Sequence, residues 1–146
     1  MDVEQTAKEF SQMHIDHARL LRRMADTLMA NGAEAVLMWL SQRTDETYAV
    51  DIAEHFGLTA GRVANIIRQL EKRHFVIRKQ DSSDQRRAEI HLTTSGLMYA
   101  EDCFHNLTAN YVQVLEALGE EDARDWMRVI RRVIDAADRN TLSLGA

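Results

Sequence analysis

Residues 50–96 read VDIAEHFGLTAGRVANIIRQLEKRHFVIRKQDSSDQRRAEIHLTTSG. Val50 to Phe56 has the length of a short helix, and Gly57 closes it with a residue that tolerates the left-handed turn after a helix end. Leu58 and Thr59 follow, and Thr59 is a good N-cap for a second helix from Ala60 to about Arg73. Val63, Ile66, Ile67 and Leu70 make that helix's apolar stripe. Phe75 to Gln80 is rich in β-branched residues and reads as a strand, with Ala88 to Leu92 as its partner. The polar tip 81–87 lies between them. The segment is thus helix, turn, helix and hairpin.

Around it the chain is mostly helical. Val3, Ala7, Phe10, His14, His17, Leu21, Met24 and Leu28 fall at spacings of three and four, which predicts one long helix over 3–28, ended by Asn31-Gly32. Residues 33–43 form the next helix, with Val36, Leu37, Trp39 and Leu40 apolar. Thr44 to Thr47 is a polar connector. From Thr94 to Leu118 runs a long helix whose seam is Leu97, Ala100, Phe104, Leu107, Tyr111, Val114 and Leu118. Gly119 breaks it. Glu120-Glu121-Asp122 then places acid at the start of the last helix, where the helix dipole favours it. Ala123, Trp126, Met127, Ile130, Val133, Ile134 and Ala137 are that helix's apolar face. The first helix and the last two carry seams too long for the central unit to cover, so they predict burial against a second copy of the chain.

Composition sets the class. The chain has 146 residues, 45% hydrophobic and 6% aromatic, with no proline, which suits one mainly α domain with a real core. No apolar run is long enough to span a membrane, no leader is read at the N-terminus, and the single Cys103 can make no internal disulfide, so a cytoplasmic location is expected. The total charge of −5 is unevenly spread: Thr59–His91 holds eight Lys/Arg against four Asp/Glu, a net of +4, which leaves −9 for the rest. Such a basic segment in an acidic body would present one face to phosphates. There is no phosphate-binding glycine loop, nucleophile elbow or HExxH, so no enzymatic activity is expected, and no cofactor.

The central segment resembles the MarR family of bacterial transcriptional regulators. Asp81-Ser-Ser-Asp84-Gln-Arg86, followed by a strand and Leu92-Thr93-Thr-Ser-Gly96, is similar to the family's wing pattern. Ile52 to Thr59 is similar to its first helix and turn, and Arg62 to Arg73 to its recognition helix. The resemblance implies a winged helix-turn-helix over 32–96 within a single domain, 1–146, with dimerisation helices at 1–31 and 97–140. It implies a homodimer on double-stranded DNA, gripping a pseudo-palindromic operator with recognition helices in successive major grooves. The function implied is a ligand-responsive repressor.

On the recognition helix Ala60, Gly61, Arg62, Ala64, Asn65, Arg68 and Gln69 lie opposite the apolar stripe. Arg62 can read guanine and Asn65 adenine, each with two hydrogen bonds. Arg68, Gln69 and Lys72 suit phosphates, and Thr59 both caps the helix and reaches a phosphate. By resemblance Arg86 enters the minor groove, where narrow walls concentrate negative potential. Asp84 aims it, and Arg87 adds a phosphate contact. Two positions depart from the family: His74 stands where glycine is usual, requiring a strained residue or another turn, and Gly61 offers the bases no side chain.

Two other readings share the fold. One is a metal- or redox-sensing regulator. His14 and His17 could share a metal with Cys103 and His105 if the helices meet, although polar residues that fix a dimer seam are commoner. Cys103 could be a redox switch, although it does not match the N-terminal cysteine of peroxide-sensing relatives, and a small semi-buried residue is the plainer reading. The other is a winged-helix interaction module without DNA binding. An effector pocket between dimer helices and winged unit would draw on Phe10, His14, Met38, Trp39 and Tyr99, each of which serves equally as core.

Overall fold

The computed structural model describes residues 1–30, 32–81 and 87–139. The chain divides into two compact units, residues 1–107 and 108–146. In order along the sequence the elements are α1 (Val3–Asp16), α2 (Ala18–Leu28), α3 (Gly32–Ser41), α4 (Ala49–Phe56), α5 (Ala60–Lys72), β1 (Val76–Gln80), β2 (Ala88–Leu92), α6 (Thr94–Leu118) and α7 (Glu120–Asp138). No described helix is long and apolar enough to cross a membrane.

The core belongs to the first unit and is built around α5. Val63, Ile66, Ile67 and Leu70 are all buried, as their three-and-four spacing requires. They meet Val36, Leu37 and Leu40 of α3, Ile52 of α4, Val76 of β1, Ile90 of β2 and Ala100 of α6. Leu37 is fully enclosed, and truncating such a side chain to alanine costs about 2–5 kcal/mol. The two strands pair antiparallel from Val76↔Leu92 to Gln80↔Ala88. Val76 and Ile90 turn into the core, while Ile77, Arg78, Lys79 and Gln80 stay exposed.

Two local features differ from the sequence expectation. The helix expected over 3–28 is two helices meeting at His17, whose φ of −113° and ψ of 19° leave the helical region. The His17 ring Nδ1 donates to its own Met13 carbonyl at 3.0 Å, beside the backbone N–H that bonds the same oxygen. The connector before α4 is also not merely polar. Thr47 is buried, its carbonyl accepts from Ile90 N–H at 2.8 Å, and Tyr48 forms a β-bridge with Glu89.

Elements outside the core keep their apolar faces open. Neither α1 nor α2 buries a residue, and Phe10 on α1 is 58% exposed. In α6 the seam residue Phe104 is 54% exposed. In the second unit Tyr111 packs at 6.3 Å from Trp126, yet Met127, Ile130, Val133 and Ile134 of α7 remain exposed.

Candidate nucleic-acid interface

Helix α5 divides its residues by chemistry. The apolar stripe faces inward, which leaves Ala60, Gly61, Arg62, Asn65, Arg68, Gln69 and Lys72 exposed. Thr59 starts the helix by accepting from Arg62 N–H at 3.3 Å, which anchors Arg62 on the first turn. Arg62, Asn65, Arg68, Gln69 and Lys72 line a groove of about 310 Å³ together with Ile66 and with Gly32 and Ala33 of α3. One end of the Asn65 amide is already engaged, because Arg68 donates to its Oδ1 at 2.7 Å. Pairing with adenine through both amide atoms would use the second lone pair of that oxygen or displace Arg68.

The acids of this basic segment are turned to neighbours. Glu71 is paired with Arg78 at 2.9 Å. Glu89 meets the His91 ring at 2.7 Å. Asp81 accepts from the Tyr48 hydroxyl at 2.7 Å. Three of the four carboxylates in Thr59–His91 are thereby occupied within the fold, while Arg62 and Lys72 stand exposed on α5. Asp84, the fourth, lies outside the described residues.

The helix and hairpin are joined by a turn that holds its angle tightly. Arg73 ends α5, and His74 follows with φ 59°, the one described non-glycine residue in the left-handed region. His74 N–H donates to Glu71 O and Phe75 N–H to Leu70 O, both at 2.9 Å. That pair of bonds is a Schellman motif, whose left-handed position is normally glycine's. The departure at position 74 is therefore met by a strained histidine, not by a different turn. Its carbonyl accepts from the Thr93 and Ser95 hydroxyls at 2.7 and 3.0 Å. Thr93 also caps α6 by accepting from Gly96 N–H at 3.0 Å. A Cβ on Gly96 would stand 2.0 Å from the Phe75 carbonyl oxygen, so only glycine fits. The run Leu92-Thr93-Thr94-Ser95-Gly96 is thus the clasp that closes the hairpin back onto the end of α5.

The MarR family model matches residues 34–88, from α3 to the first residue of β2. Over those residues the chain is similar to the MarR family. Solved structures share the fold along nearly the full length. YusO from Bacillus subtilis superposes with a TM-score of 0.68 at 17% identity, covering 93% of this chain and 99% of that one. A MarR transcriptional regulator from Methanosarcina mazei gives 0.66 at 16% identity, covering 93% and 98%. MepR of S. aureus, in a complex with DNA, gives 0.64 at 23% identity, again covering 93% and 98%. At these identities the likeness is one of fold. No curated protein sequence matches the chain.

Of the wing residues that the MarR resemblance singles out, Asp84 and Arg86 lie outside the described residues. Arg87 is described. Its guanidinium lies 3.9 Å from the centre of the Tyr48 ring, and its carbonyl accepts from Asp81 N–H at 3.1 Å. Tyr48 is a position that the reading of single motifs missed, and Asp81 entered that reading only as the first residue of the wing pattern, with no role of its own. The Tyr48 N–H also donates to Asp51 at 2.7 Å, fixing the start of α4. The hydrogen bond to Asp81, then burial and the neighbouring charges, push the Tyr48 phenol well above its usual range.

The candidate effector residues are dispersed among different partners. Trp39 stacks on His55 at 4.6 Å and carries Arg43 over its ring. Tyr99 stacks on Phe75 at 4.6 Å and donates to Glu34 at 3.0 Å, with the Arg73 guanidinium 4.5 Å from both rings. Arg73 draws the Tyr99 phenol down, but Glu34 and burial outweigh it and the net shift is upward. Met38 is buried in the core, while Phe10 and His14 sit on the exposed face of α1. His14 Nδ1, like that of His17, donates to a backbone carbonyl of its own helix, here Phe10 at 2.8 Å. Among the described residues no three His, Cys, Asp or Glu side chains converge as a metal site would need, so His14, His17, Cys103 and His105 are not brought together as one. Cys103 is half-buried, and burial followed by the charge of Glu34 pushes its thiol upward.

Proposed function

We propose that this chain is a transcriptional regulator that binds double-stranded DNA as a homodimer, reading a pseudo-palindromic operator through α5 and its wing. The observation that carries the reading is the outer face of α5. Arg62, Asn65, Arg68, Gln69 and Lys72 are exposed together on it, whereas the acids of the same segment, Glu71, Asp81 and Glu89, have partners within the fold. In this reading Arg62 and Asn65 contact base edges near the start of the helix, and Arg68, Gln69 and Lys72 contact phosphates. Thr59, Ala60 and Gly61 border the groove edge. Arg86, aimed by Asp84, enters the minor groove, and Arg87 contacts a phosphate beside it. The MepR structure with DNA supports the reading by its shared fold.

The dimer is supported by apolar surface. Phe10 and Ile15 of α1, Phe104 of α6 and Ile134 of α7 are large side chains that a lone chain leaves in water. A second copy covering these faces would bring two α5 helices to one duplex. Response to a small-molecule effector, and repression as the outcome, rest on the MarR resemblance alone.

A mobility-shift titration on the DNA upstream of the chain's own gene tests the proposal. Binding should weaken steeply as salt rises, because each neutralised phosphate releases counterions. Binding that is absent at low salt, or indifferent to salt, contradicts it.

A further inference from the structure

Both residues that bracket positions 82–86 are held by one side chain from another part of the chain. The Tyr48 hydroxyl donates to Asp81 Oδ2 at 2.7 Å, thirty-three positions away in sequence. The face of the same ring carries the Arg87 guanidinium at 3.9 Å. Asp81 is only 8% exposed, and its N–H donates to the Arg87 carbonyl, which closes the ladder between the strands at that level. Tyr48 is itself fixed twice, by its N–H bond to Asp51 and by its bridge to Glu89 of β2.

We infer that Tyr48 is the positioning residue of the wing: its hydroxyl and ring face together fix where Asp81 and Arg87 stand relative to α4. The physical case is one of leverage. A two-stranded hairpin is marginally stable in water and twists freely unless it packs on something. Val76 and Ile90 anchor the root of this hairpin in the core, but Ile77 to Gln80 are exposed and add no side chain to that core. The far end therefore depends on polar contacts, and Tyr48 supplies two of them from a helix start inside the winged unit. A tyrosine does this with few rotatable bonds, so little entropy is lost in ordering it. A phenol has one proton. Glu46 at 3.2 Å from the hydroxyl competes weakly with Asp81 at 2.7 Å, and the shorter bond sets the ring's orientation.

The consequence for DNA rests on the function proposed above: a wing held at its far end meets the duplex without first having to be ordered. Two measurements on the full chain separate the two claims. The first is amide hydrogen exchange of wild type and Tyr48→Phe without DNA. The variant keeps the ring, the stacking of Arg87 and the bond to Asp51, and loses only the hydroxyl. Exchange at the amides of Asp81 and Glu89 should quicken by about fivefold or more, while α5 keeps its protection. Asp81→Asn, which preserves an acceptor for the phenol, should keep most of the wild-type protection, and Asp81→Leu should lose it. Unchanged protection in Tyr48→Phe and Asp81→Leu overturns the inference. The second measurement is affinity for an A·T-rich duplex of about 30 base pairs, long enough for two half-sites. Tyr48→Phe should bind several-fold more weakly than wild type. Equal binding by a variant whose wing amides have lost protection overturns the link to DNA. Failure of the wild type to bind any duplex instead counts against the proposed function, and exchange still decides the role of Tyr48.

Discussion

The Phe75 carbonyl oxygen occupies the place where a side chain at Gly96 would begin, 2.0 Å from an ideal Cβ. The first turn of α6 is thereby pressed against the chain leaving α5. Gly96→Ala cannot be relieved by a flexible neighbour, because the obstacle is backbone. Forcing atoms into a packed site costs about 1–3 kcal/mol and sometimes more. Thermal unfolding of Gly96→Ala should show a midpoint lowered by roughly 5–10 °C or more. A midpoint within a degree or two of wild type would mean that the clasp between His74, Phe75 and Thr93 is loose.

His74 should give the opposite sign. Its φ of 59° places an L-residue in the left-handed region of a Schellman turn. That conformation costs about 1–2 kcal/mol for a residue with a Cβ, partly offset by the extra freedom glycine has when unfolded. His74→Gly should therefore stabilise the chain by roughly 0.5–1 kcal/mol, and His74→Val should destabilise it. Denaturant midpoints of the three proteins measure both.

Gly61 carries no such constraint. A Cβ there would meet nothing within 4 Å, so the fold gives no reason for glycine on the first turn of α5. Alanine is the better helix former by up to about 1 kcal/mol. Gly61→Ala should raise the unfolding midpoint and, if a duplex approaches this turn closely, weaken DNA binding. A variant that is more stable and binds equally well would remove Gly61 from the interface.

Cys103 bears on the redox-sensing alternative. Burial, and then Glu34, raise its thiol pKa, so the thiolate is scarcer at neutral pH than in an ordinary cysteine. Alkylation by iodoacetamide should be slower than for free cysteine at pH 7, and its rate should go on rising with pH beyond the point where that of free cysteine levels off. Labelling at neutral pH that outpaces free cysteine would restore Cys103 as a sensor.

Much of this architecture was legible in the sequence because it depends on local periodicity and end signals. The stripe Val63, Ile66, Ile67, Leu70 fixed the buried face of α5, and Gly57 and Thr59 marked the turn before it. The bounds of β2 and α6 were legible for the same reason. The break at His17 was not, because its spacing in the apolar seam is that of an unbroken helix and only its backbone angles depart from the helical region. Nor was the role of Tyr48. Its partners Asp81 and Arg87 are distant in sequence, and only the β-bridge to Glu89 brings them within reach. The exposed side chains of α5 were legible as a group, but the Arg68–Asn65 bond, which bears on how Asn65 could read a base, depends on side-chain geometry.

Arg62 and Lys72 share one exposed face, yet the proposed function assigns them different work. Arg62→Ala should cost about 1–3 kcal/mol of discrimination at one base pair of a preferred site. Lys72→Ala should weaken binding to all sequences alike and reduce the slope of log affinity against log salt by about one. Titrations of both variants on matched and mismatched duplexes, at several salt concentrations, separate the two roles.

The most direct test of the central claim is selection of duplexes from a random pool by the full chain, with the stoichiometry of the bound complex measured on the winning sequence. The account expects an enriched pseudo-palindrome with half-sites about one helical turn apart, bound by two copies of the chain. A pool that returns no enriched sequence at low salt would contradict it.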